Sequence, residues 1–138
     1  MSIVQTQTTS FKAQLYQGIH DLTTDVIKIA LYTANADLNA DTTVYSSTNE
    51  VSATGYTAGG ATMTGITVST SGSTAYVGFD NVSWTAALTA RCALIYNSSK
   101  GDKSVAVLDF GSDKTSVTTF LITMPANTST TALIRSSN

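Results

Sequence analysis

From Gly60 to the C-terminus, short runs of apolar and β-branched residues alternate with brief turn sequences, and this pattern constrains the fold more than any other feature. The predicted strands are residues 61–69, 74–79, 91–96, 104–110, 117–124 and 131–135. The spacers Ser71-Gly72-Ser73, Lys100-Gly101-Asp102 and Gly111-Ser112-Asp113 carry turn chemistry, with Gly supplying positive φ and Asp or Ser bonding its own backbone. Strands this closely spaced, with turns too short for crossover helices, specify a mainly β domain, an antiparallel β-sandwich or barrel. Cys92-Ala93-Leu94-Ile95-Tyr96 and the run from Val105 to Phe110 are apolar on both faces, so these are the central strands. Pro125, the single proline, stops the strand before it.

The N-terminal half reads differently. Residues 1–9 are uncharged and show no period that would bury them, which predicts a flexible N-terminal arm ahead of one domain spanning 10–138. An N-terminal α-helix follows, capped by Thr9 or Ser10, with Phe11, Leu15, Ile19 and Leu22 on one face. His20 falls near the helix C-terminus, where a capping or interface imidazole is the expectation. Residues 26–32 alternate, with Ile27, Ile29 and Leu31 facing one way and Lys28 the other, as in a half-buried strand. Residues 35–60 then dissolve into Asp, Asn, Thr, Ser and Gly, with a short strand at Thr43-Val44-Tyr45. An excursion of that length binds something or packs on a neighbour.

Chemistry is scarce along this chain. Only 12% of residues are Asp, Glu, Lys or Arg, about half the usual share. The chain has one histidine, one cysteine and a net charge of -2. No catalytic residue, cofactor site or metal site is nominated, and the expectation is a non-enzymatic protein. One cysteine closes no internal disulfide, and Cys92 in its apolar run reads as a packing thiol. Gly55-Tyr56-Thr57-Ala58-Gly59-Gly60 lacks the lysine and following helix of a phosphate loop. Asp109-Phe110-Gly111 spells the kinase magnesium tripeptide without the accompanying motifs. Asp37, Asp41, Asp102 and Asp113 have no calcium-loop spacing, and the seven basic residues form no run, which argues against nucleic-acid binding. No apolar stretch reaches membrane-spanning length, no secretory signal opens the chain, and the sequons at Asn81, Asn97 and Asn127 are chance matches in a Ser/Thr-rich sequence. Trp84 is assigned to the edge of the core.

Several separate segments carry a resemblance. Glu50-Val51-Ser52-Ala53-Thr54-Gly55-Tyr56-Thr57-Ala58-Gly59-Gly60-Ala61, Phe79-Asp80-Asn81-Val82-Ser83-Trp84, Thr89-Ala90-Arg91, Ala93-Leu94-Ile95-Tyr96 and Val107-Leu108-Asp109-Phe110-Gly111-Ser112-Asp113-Lys114 resemble a family of small structural proteins of tailed bacteriophages. Phe11-Lys12-Ala13 and Val26-Ile27-Lys28-Ile29-Ala30-Leu31-Tyr32 resemble it too. The resemblance implies a virion component made in the bacterial cytoplasm. Its expected role is a capsid decoration protein on the major capsid protein shell, with a neck, head-tail or tail protein as the alternative and a receptor- or glycan-binding module ranked lower. The expected partners are capsid or other virion subunits and further copies of the chain, with no nucleic acid and no membrane. Ile3 and Val4 in the arm and Tyr45 and Tyr56 in the excursion are the expected partner-binding residues.

Overall fold

The structure is a computed structural model that describes residues 2–137, so Met1, part of the expected arm, lies outside the described residues. In chain order the elements are β1 (Thr6–Gln7), α1 (Thr9–Tyr16), β2 (Ile27–Tyr32), β3 (Ala61–Thr62), β4 (Thr67–Ser71), β5 (Thr74–Gly78) and β6 (Val82–Trp84). They continue with β7 (Thr89–Asn97), a 3-10 turn (Ser98–Lys100), β8 (Lys103–Thr115), β9 (Phe120–Ile122) and β10 (Ile134–Ser136). The architecture is mainly β with one short N-terminal helix and antiparallel strand ladders, as expected, and no sheet closes on itself. A five-stranded sheet of order β1-β8-β7-β2-β3 forms the centre, flanked by a three-stranded sheet β10-β5-β4 and the pair β6-β9.

The doubly apolar strands explain the layering. Alternate residues of β2 and β7 go to opposite sides: Ile27, Ile29, Leu31, Ala93 and Ile95 enter the main core, which also holds Trp84, Phe120 and Phe11. Ala30, Tyr32, Cys92, Leu94 and Tyr96 enter a second cluster with Ala36, Leu38 and Val107. A sheet with two apolar faces must be covered twice. The second cover comes from the excursion and the N-terminal segment, which is why β2 is buried on both sides rather than the half-buried strand its alternation predicts.

The expected helix is shortened. Its N-cap is Thr8, one residue earlier than predicted, whose hydroxyl accepts from the Phe11 amide at 3.3 Å. It ends at Tyr16, and Gly18 then adopts φ +69°, so Ile19 and Leu22 leave the helical face. The expected strand 61–69 splits into β3 and β4 around Gly65 at φ +62°. Gly111-Ser112-Asp113 is no turn. It lies inside β8, where the register with β7 jumps from Cys92↔Asp109 to Ala90↔Lys114 and the extra residues bulge out around Gly111 at φ +83°. Gly60 is required by close approach: at φ +81°, a Cβ there would drive into the Ile29 carbonyl.

Candidate interaction surface

The segment read as a flexible arm is laid along the sheet instead. The Val4 amide donates to the Leu38 carbonyl (3.0 Å) and the Leu38 amide to the Ser2 carbonyl (2.8 Å), while β1 pairs with β8 at Thr6↔Val107 and Gln7↔Ala106. The Asp37 carboxylate accepts from the Ser2 amide at 3.1 Å. The physical reason is the outer edge of β8, whose main-chain groups need partners once its faces are buried. Segments of both irregular regions meet it end to end: Ser104 donates to Thr43, Tyr45 to Asp102, Thr8 to Val105, and the Gln5 side chain accepts from the Asp109 amide. The short strand expected at Thr43-Val44-Tyr45 is present as a bridge, Val44↔Lys103.

The four expected partner-binding residues divide accordingly. Ile3 and Tyr45 are both half-buried against the second cluster, packed inward beneath the cover. Val4 points outward, 48% exposed. Tyr56 is only 8% exposed and belongs to the main core, stacked on Trp84 with ring centroids 5.9 Å apart, so it serves the fold and presents little to a partner. Val44, 49% exposed, is an outward residue that sequence reasoning passed over. Strand alternation held the signal, because Tyr45 facing in obliges Val44 to face out.

Glu50 organises the excursion. Its carboxylate accepts from the Tyr45 hydroxyl (2.6 Å), the Tyr56 hydroxyl and the Gly59 amide (2.8 Å). The Tyr56 oxygen accepts in turn from the Leu31 amide at 2.9 Å, tying the loop to β2. Tyr96 donates to the Gly59 carbonyl at 2.6 Å and stacks on Tyr45 at 4.7 Å. Burial, and then the neighbouring Glu50 carboxylate, hold the Tyr45 and Tyr56 phenols protonated far above their usual range. These tyrosines are hydrogen-bond donors rather than proton-transfer groups.

The single histidine is structural in its contacts. His20 Nε2 lies 2.7 Å from Gln14 Oε1, and its Nδ1 lies 3.0 Å from Asn97 Nδ2. Asn97 is fully buried; its amide also donates to Asp25 (2.7 Å) and its Oδ1 accepts from the Ser99 amide (3.1 Å). That orientation leaves Nδ1 as the acceptor and puts the imidazole proton on Nε2. Burial lowers the His20 pKa, opposed by the Asp25 charge and helped by Lys103 and Lys100. Asp25 also pairs with Lys100 at 3.1 Å, and Arg91 pairs with Asp109 across the β7–β8 bulge. Cys92 is fully buried, and desolvation pushes its thiol up to about 12, which closes thiolate chemistry at neutral pH.

Several large apolar side chains remain outward. Val4, Leu15, Tyr16, Val26, Val44, Val68, Val117 and Leu121 are the large exposed hydrophobic residues among those described. They are set in a surface rich in Ser and Thr and poor in charge. Such a surface recognises by shape, main-chain bonding and apolar burial rather than by charge. Among the described residues, no helix is long and apolar enough to cross a membrane. Comparison with protein-family models, curated proteins and solved structures finds no match to this chain.

Proposed function

We propose that this chain is a non-enzymatic structural protein of a tailed-bacteriophage virion, a decoration protein that binds the outside of the major capsid protein shell. The observation that carries the reading is the cover layer over the second sheet face. Two segments without regular structure are fixed there by main-chain bonds, and the layer presents Val4 and Val44 outward, each about half exposed. A rigid, weakly charged domain of this kind adheres by many modest apolar and hydroxyl contacts, which add when several shell subunits are engaged together. The segments that resemble small phage structural proteins point the same way. Because the N-terminal segment is committed to its own sheet, the adhesive surface is its outer side and not a free arm.

Saturating phage heads that lack the protein, and counting bound copies against the major capsid protein, tests the reading. Copies in a fixed ratio to capsid subunits over the whole shell are expected, and Val4→Asp with Val44→Asp should weaken attachment while the free domain stays folded. A ring of roughly a dozen copies or fewer at one vertex would instead make it a neck or tail protein. Failure to bind heads or tails at all would remove the virion assignment.

A further inference from the structure

The outer edge of β8 is covered as far as Asp109, and that of β2 along its length. Thr43, Thr8, β1 and Gln5 cover β8, while the Val51 amide bonds Leu31, Glu50 bridges Tyr32 and β3 with Met63 covers the start of β2. β4 is different. It is the outermost strand of the sheet β10-β5-β4 and, among the described residues, is hydrogen-bonded to β5 on one side only. Its register with β5 runs unbroken from Thr67↔Gly78 to Ser71↔Thr74 around the two-residue turn Gly72-Ser73, with Gly72 at φ +59°. In such a hairpin the closing pair is hydrogen-bonded and the pairs alternate from there. The N–H and C=O groups of Val68 and Thr70 therefore point away from β5.

Exposed edges are ordinarily blunted by lysine, proline, a bulge or a covering loop. Residues 66–78 contain no charged residue and no proline, and the ladder has no bulge. All of β4 is exposed except Ser69, which is half-buried. A second observation falls at the same place. Leu15, Tyr16 and Val68, respectively 40%, 92% and 49% exposed, line one cleft of about 740 Å³ whose floor includes Phe11, Val77 and Ile134. A bare strand edge and a concentration of exposed apolar side chains thus share one surface.

We infer that β4 is a strand-addition edge, and that its occupant is β4 of a second copy of this chain, paired antiparallel across a two-fold axis. The segment is self-complementary. With Ser69 opposite Ser69 of the second copy, Val68 meets Thr70 and Thr70 meets Val68, which forms two hydrogen-bonded pairs and about four main-chain bonds. The two Val68–Thr70 pairs are β-branched, and no like charges are brought together. The added strand continues the sheet, joining two three-stranded sheets into one, and extends the cleft floor beside Leu15 and Tyr16. This pairing is independent of what the protein attaches to.

Sedimentation of the full chain over a roughly hundredfold concentration range tests it, together with Thr70→Lys, which puts a charge on the edge, and Val68→Pro, which removes an outward N–H but no β4–β5 bond. The wild type should form a dimer, and each folded variant should weaken that dimer at least about tenfold while its circular dichroism spectrum is unchanged. Thr70 is exposed, so its variant remains informative if the proline variant misfolds. A wild type that stays monomeric throughout, dimers unaffected by Thr70→Lys, or growth beyond a dimer would each overturn the inference.

Discussion

Replacing Tyr56 by phenylalanine deletes one oxygen atom from the centre of the fold. That oxygen donates to the Glu50 carboxylate and accepts from the Leu31 amide, and the residue is 8% exposed, so water has little access to replace it. A hydrogen bond to a charged group contributes about 1.5 to 3 kcal/mol, and leaving a buried amide unpaired costs about 1 to 3 kcal/mol. The two overlap because one hydroxyl serves both, so the expected loss is about 2 to 4 kcal/mol, a sizeable part of a total of about 5 to 15 kcal/mol. The ring stays, so its stacking on Trp84 is kept and no cavity opens. Tyr45→Phe is the internal control. It removes one donor to Glu50 at a half-buried position and leaves no buried amide unpaired, so about 1 kcal/mol is expected. Urea unfolding at neutral pH measures both, and in the double variant with Glu50→Gln the effect of Tyr56→Phe should shrink because its acceptor has lost its charge. A Tyr56→Phe midpoint equal to that of the wild type, or a larger loss for Tyr45→Phe, would refute the view that Glu50 and Tyr56 pin the excursion to β2.

Three further outcomes follow from the same contacts. Because burial lowers the His20 pKa, the unfolded chain binds the proton more readily than the folded one; the His20 contribution is complete above about pH 6.5 and declines below it, so the melting temperature should fall from pH 7.5 to 5 in the wild type and much less in His20→Gln. Trp84→Ala removes a 6%-exposed side chain flanked by Tyr56 and Phe120, at a cost of about 3 to 5 kcal/mol, and should yield insoluble protein or one without a cooperative melt by near-ultraviolet dichroism. Deleting residues 1–5 breaks the Leu38 bonds and uncovers the second cluster, so the melting temperature should drop and the Leu38 amide should exchange faster with deuterated water; an unchanged melt would restore the flexible arm.

Most strands of the second half were legible before the structure because a period of two, with glycine-bearing turns, is a local property of the chain. β5, β7 and most of β8 fall where alternation and apolar runs place them, and the doubly apolar runs correctly marked the centre of the sheet. The errors came where the outcome depends on residues far away in sequence. Residues 1–9 have no apolar period of their own and so resemble an arm, yet main-chain groups of Thr6, Gln7 and Thr8 complete the edge of β8 about a hundred residues later. Gly111-Ser112-Asp113 has the composition of a turn, and only pairing with β7 makes it a bulge. Tyr56 looks like a loop aromatic in sequence, but its ring packs on Trp84 in the main core while the Glu50 carboxylate and the Leu31 amide satisfy its hydroxyl. Periodicity therefore determined the class of fold and its central strands, whereas edge closure, the Glu50 cluster and the bare edge of β4 were decided by tertiary structure, since an unpaired main-chain group takes its partner from whatever the fold brings within hydrogen-bonding reach.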